Sequence, residues 1–376
     1  MTSPTRFRSV AATIARVVAL AAAAGVAFEV ATRVDNTVRF GDDFFRPATS
    51  LDRLLVRDSL SMHGRSGARF QQFALNHEGM RGPEPRPVKQ PDVLRVVVMG
   101  ASETFGLYEK PGREYPRQLE DTLRISAACR ARFRDVEVIN AASVGISLPR
   151  QVQDLERRIA GLHPDVVLFY PTPVQYLSPV PNADDPWPPG LEPAAPVPLA
   201  SAGLQRLASE LRRAMPRYLK SFVWREQLRR LTAQQGPAAL YASAPDSELS
   251  RFGSDLRQGL RAARDMGALP VVATHANAFL PNEPPNEDLL LSWQRFYPRA
   301  TGRVLIEFDS LAAVMTERIA GEENAVVVPL RQAMYASAAP GDFADFSHFT
   351  DGGSSRVAHV VATTLERTAC AAPEAR

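Results

Sequence analysis

The sequence is short of cysteine, histidine and net charge. Of 376 residues, two are cysteines and six are histidines, and the formal charge is +3. Cys129 and Cys370 stand far apart, with no paired-cysteine motif and no spacing that holds a metal, so no cysteine metal site is expected. The two thiols fit either a disulfide, which export would permit, or two separate buried side chains. Arginine is scattered rather than clustered, and no basic stripe interleaves with aromatics. Nucleic acid is therefore excluded as an expected partner. No internal repeat stands out.

Hydrophobic residues make up 45% of the chain, enough for one large domain or one domain with attachments. The N-terminus has a bias of its own. Arg6 and Arg8 precede an alanine- and valine-rich run whose uninterrupted part, Val17 to Phe28, is 12 residues long. As helix that covers about 18 Å, less than the ~30 Å of membrane hydrocarbon. With Arg16 and Glu29 reaching to the interfaces, the stretch from Ser9 to Ala31 spans it. The basic flank puts the start of the chain in the cytoplasm and the rest outside, a single-pass protein of the inner membrane. A signal segment cleaved near Gly25 and Ala27, giving a secreted protein, is the alternative, and a buried helix of a soluble fold is the third reading.

Residues 1–34 thus read as anchor or signal, and 35–90 as a connector whose prolines suggest extended chain. From residue 91 to 376 strand and helix patterns alternate. "LRVVVMG", "VEVINAAS", "PDVVLFY", "LPVVATH" and "AVVVPL" read as strands. "YPRQLEDTLRI", with Pro116 in its first turn, "PRQVQDLERRIAGL", the regions Ser254–Met266 and Arg303–Ile319, and "GGSSRVAHVVATTLERTA" read as helices. This alternation argues for a parallel sheet with helices on both faces, which places ligands beyond the C-terminal strand ends. An insertion at about 178–250 interrupts it. A proline-dense stretch is followed by two arginine-rich helices split near Pro216, either a lid or a surface elaboration.

Ser102 sits just past the first strand, where the sheet rule puts a site. Gly100-Ala101-Ser102-Glu103-Thr104 is not a G-x-S-x-G elbow, since the second glycine is missing. In "DFADFSHFTDGG", Asp345 and His348 are three residues apart. One turn brings a carboxylate to imidazole Nδ1 and leaves Nε2 free to take a proton from a serine. Serine needs such a base to act as a nucleophile. His275, after the fourth strand, is either a candidate substrate contact or a structural histidine capping the strand end. Asp351 is expected to cap the last helix, and His163 and His359 to be loop and surface residues. Glu103 is given no role, because adjacent side chains diverge.

Taken together, "GASETFG" after the first strand and "DxxHFTDxG" before the last helix resemble the SGNH (GDSL) hydrolase superfamily. The likeness runs from about Leu94 to Thr368, and "NHEGMRGPE" looks like the segment preceding this domain in membrane-anchored bacterial members. The resemblance implies a flavodoxin-like three-layer α/β/α sandwich and ester hydrolysis or acyl transfer, with no metal or organic cofactor. Ser102 would be the nucleophile, His348 the base and Asp345 its orienter. The N–H groups of Ser102 and Gly145 would serve as oxyanion donors. The usual Gly-Asp-Ser is Gly-Ala-Ser here. The family's Gly-x-Asn-Asp block is "PTPVQYL", which leaves Gln175 as the candidate substitute for the asparagine. The expected substrate is an acyl ester, such as an acylated carbohydrate outside the cytoplasm. An O-acyltransferase using the same triad, or a non-catalytic glycan-binding or assembly protein, is the alternative.

Overall fold

The computed structural model describes residues 4–45, 47, 51–58, 61–178, 201–235, 240–337, 339 and 341–371. Five strands form one parallel sheet: β1 (Val93–Gly100), β2 (Asp135–Asn140), β3 (Val166–Tyr170), β4 (Leu269–Ala273) and β5 (Val326–Val328). Their order is β2-β1-β3-β4-β5, the flavodoxin-like doubly wound order, whose switch point lies between β1 and β3. β1 is buried along its whole length because it pairs on both edges, Val97 with Ile139 on one side and with Val167 on the other.

The helices used below are α1 (Pro4–Phe40), α2 (Ser102–Phe105), α3 (Tyr115–Ile125), α4 (Leu148–Arg157), α5 (Ala202–Ala214) and α6 (Arg217–Gln235). After them come α7 (Asp246–Asp265), α8 (Glu287–Gln294), α9 (Gly302–Glu322), α10 (Leu330–Ser337) and α11 (Asp351–Thr368). Alternate strand residues point to opposite faces, and this sorts the core into two layers. Val97, Val167 and Val272 pack with Val152 of α4, Leu256 of α7 and Phe308 of α9. Val96, Val98 and Leu168 pack with Leu119 of α3 and Val361 of α11. The three-layer expectation holds.

Cys129, in the short helix Ala127–Arg132, is bonded to Cys370 just past α11, which resolves the alternatives left by composition. α1 is a single helix of 37 residues, longer than the expected Ser9–Ala31. From Ala12 to Phe40 it is long and apolar enough to cross a membrane, and its most apolar 18-residue window is not buried in the protein. Its Glu29 accepts from the backbone N–H groups of Ala202 and Gly203 and from Ser201 Oγ, so a carboxylate caps the first turn of α5. α6 packs on α8 through Ser221 and Asp288. The helical half of the insertion is therefore held at the surface by α1 and α8, and residues 179–200 of the proline-dense half lie outside the described residues.

Residues 35–90 are not an extended connector. Two short antiparallel pairs, Leu55–Arg57 with Met62–Gly64 and Arg69–Phe70 with Phe73–Ala74, fold there. Leu54, Phe70, Phe73 and Leu75 make a third small core with Phe105 and Ala142, the turns that follow β1 and β2. Strands of two or three residues carry no readable alternation, so the prolines dominated the pattern.

Candidate active site

β1 ends at Gly100, and Ser102 opens the one-turn helix α2. A Cβ at residue 100 would lie 2.1 Å from Thr104 Oγ1, so only glycine lets the chain turn this tightly beyond the strand. The turn sets the Ser102 hydroxyl at the C-terminal edge of the sheet. Arg81, buried in the third core, donates through Nη1 to the carbonyls of Phe105 and Gly106 and holds the far end of the turn.

The base arrives on the loop before α11. Asp345 Oδ1 accepts the N–H groups of Ser347 (3.0 Å) and His348 (2.9 Å), which winds the loop around its carboxylate. Both Asp345 oxygens lie 2.9 Å from His348 Nδ1, and His348 Nε2 lies 2.8 Å from Ser102 Oγ. The carboxylate fixes the tautomer in which Nδ1 carries a proton and Nε2 faces the hydroxyl. The Tyr108 ring sits 5.3 Å from the His348 ring. Burial pulls the His348 pKa down, but the Asp345 hydrogen bond and the Glu103 and Asp345 charges outweigh it and hold it above the ordinary value. Burial likewise pushes Asp345 up, and the His348 hydrogen bond and charge bring it below the usual carboxylate range.

Of the expected oxyanion donors, Ser102 N–H is the first of α2, a position that leaves it without an intrahelical acceptor. Gly145 lies in the loop after β2, where Ser143 N–H binds Gly100 O and lays that loop along the end of β1. Gly145 has φ +73°, a left-handed conformation, and faces open space. Gln175 lies in the 3-10 turn Pro173–Leu177 after β3, and its side chain makes no hydrogen bond to Ser102, Asp345 or His348. The neighbouring Thr172 reaches the site instead, donating to Glu103 Oε2 at 3.0 Å.

Three expectations need correction. His275 does not face substrate: it is 1% exposed, its Nδ1 lies 2.6 Å from Asp309 Oδ1, and its ring stacks on Tyr170. A histidine at a strand end in a two-layered sheet is covered by the helix behind it, here α9. Thr350, not Asp351, caps α11, and Asp351 accepts from Lys110 N–H. Glu103 does meet its neighbour. Its side chain turns inward, 2% exposed, with Oε2 3.3 Å from Ser102 Oγ. Burial opposes its ionisation, but the His275 and His348 rings hold its carboxyl at about 2.

No family model matches this chain, and neither does any curated protein. Solved structures with a similar chain course include the lipase/acylhydrolase from Enterococcus faecalis, at 13% identity and TM-score 0.41, covering 73% of this chain and 96% of that one. Axe2, an acetylxylan esterase from Geobacillus stearothermophilus, is 11% identical with TM-score 0.42, covering 72% and 94%. TesA is 14% identical with TM-score 0.41, covering 73% and 98%.

Proposed function

We propose that this chain is a serine-dependent hydrolase of acyl esters, held to a membrane by α1 with its site outside the cytoplasm. The observation that carries the reading is the hydrogen-bonded line from Asp345 through His348 to Ser102 Oγ. The "GASETFG" and "DxxHFTDxG" pattern, with its resemblance to SGNH hydrolases, supports it. In this reading Ser102 Oγ attacks the ester carbonyl while its proton passes to His348 Nε2. The N–H groups of Ser102 and Gly145 receive the oxyanion. Collapse returns the proton to the departing alkoxide and leaves an acyl-enzyme. Water, giving a proton to the same nitrogen, releases the carboxylic acid and restores Ser102. Acyl groups on an exported glycan fit that location as substrate.

A second reading is favoured by "PTPVQYL", which lacks the asparagine donor the family pattern would put there. It makes the protein a non-catalytic glycan-binding or assembly factor that keeps the triad. The full chain in detergent micelles, offered p-nitrophenyl acetate and a fluorophosphonate probe, separates the two. The esterase reading expects turnover and labelling, both lost in Ser102→Ala. A parent chain that neither turns over nor labels supports the binding protein and ends the esterase reading.

A further inference from the structure

We propose that Glu103 is a positioning residue for the Ser102–His348 pair, a second anion that holds nucleophile and base from the core side. The inference rests on the esterase reading. Its basis is the set of partners that Glu103 gathers. A carboxylate this deep is retained only when its charge is matched and its oxygens are bonded. Oε1 accepts from Ser347 Oγ at 3.0 Å, so the residue next to the base in the chain is tied to the residue next to the nucleophile. Oε2 accepts from Thr172 Oγ1 and lies 3.3 Å from Ser102 Oγ. Two strand-end segments, after β1 and after β3, and the loop before α11 converge on one carboxylate.

Behind it the charges alternate. His275 Nε2 is 3.8 Å from Glu103 Oε1, and His275 Nδ1 is 2.6 Å from Asp309 Oδ1. Asp309 Oδ2 in turn accepts from Arg331 Nη1 and from Asn277 Nδ2. Burial disfavours a charged His275, but Asp309 and Glu103 outweigh it and raise its pKa to about 9, which favours the charged ring. The line Glu103, His275, Asp309, Arg331 is then balanced, and Glu103 remains an anion over the working pH range.

That fixed anion has a specific consequence for the triad. A serine hydroxyl has one proton to donate. With neutral His348 the proton goes to Nε2. With protonated His348, Nε2 becomes the donor, and the Ser102 hydroxyl has Glu103 Oε2 as its acceptor. Glu103 thus favours the imidazolium twice, by its charge and by receiving the displaced hydrogen bond. The imidazolium is the form the base adopts as attack proceeds. The other groups facing the His348 ring are Asp345, Tyr108 and the buried Glu109.

The test is Glu103→Gln in the full chain in micelles. The amide has the same shape and still bonds the Thr172 and Ser347 hydroxyls, but it has no charge. Loss of an anion this near moves a titration by about one pH unit. The acid limb of kcat/KM is therefore expected to shift about one unit lower, and kcat to fall about 10-fold at unchanged KM, since one unit of pKa is a factor of ten. Glu109→Gln is expected to move the limb less. A role in packing alone would lower Tm and leave the acid limb where it is, and that outcome overturns the proposal. Titration of the His348 ring by NMR of histidine-labelled protein reads the same shift without turnover, so it holds even if the parent proves inactive. Should Glu103→Gln not fold, Asp345→Asn decides. With Glu103 as the remaining anion on the hydroxyl side, the ring is expected to keep a pKa near that of a free histidine, and a fall of two units or more refutes the idea.

Discussion

The two oxygens of Asp345 both lie 2.9 Å from His348 Nδ1, so the carboxylate faces the ring symmetrically and fixes one tautomer. Asp345→Asn keeps the shape and can invert that tautomer, by donating where it should accept. Steady-state kinetics should show kcat reduced roughly 10³–10⁴-fold with little change in KM. A loss of less than tenfold would mean that the pair is not oriented for proton transfer.

Gly145 gives a second prediction. Its φ of +73° suits glycine, and a Cβ there meets no atom within 4 Å, so alanine is strained by backbone conformation rather than by a clash. If its N–H receives the oxyanion, Gly145→Ala should lower kcat by about 10²-fold while fluorophosphonate labelling merely slows. Full kcat in a folded variant would remove Gly145 from the site.

Glu109 makes stability depend on pH. Its carboxyl is buried, which raises its pKa from the ordinary 4.5 to about 7 against the Ser354 hydrogen bond and the Arg81 charge. Folding thus favours the protonated form. The stability that this group contributes is complete below about 4.5 and is lost as pH rises through about 7. Glu109→Gln should melt with the parent at pH 5 and above it at pH 8.5, by about 1–3 kcal/mol. Superimposed melting curves at both pH values would contradict this.

The Cys129–Cys370 bond closes a loop with a sequence separation of 241, the kind of long loop whose closure most restricts an unfolded chain. Replacing both cysteines with serine should lower stability by about 2–5 kcal/mol, and reductant should do the same to the parent but not to the double variant. Because the bond joins the helix before β2 to the end of α11, activity in the cold should persist.

The sheet was legible because its signals are long. The valine run of β1, the amphipathic periods of α3 and α4, and Pro116 at the start of α3 each state an element in local sequence. Asp345 and His348 were legible because their pairing is local, three residues apart. What stayed hidden depends on distant chain. The inward turn of Glu103 is set by Thr172, Ser347 and His275, none nearer than 69 residues. The burial of His275 depends on Asp309 in α9, and the two small hairpins before β1 are too short to carry a period.

Arg81 has a bearing on where the working unit begins. Its guanidinium, set between the Phe73 and Phe105 rings, grips the two carbonyls that finish the nucleophile's turn. The segment that delivers it threads back through Asn140 at the end of β2. A truncation that keeps every strand of the sheet but starts at residue 91 would retain the triad and yet unclasp the loop that aims it. For anyone trimming this gene for expression, the cut that keeps this clasp lies ahead of Leu51, not at the first strand.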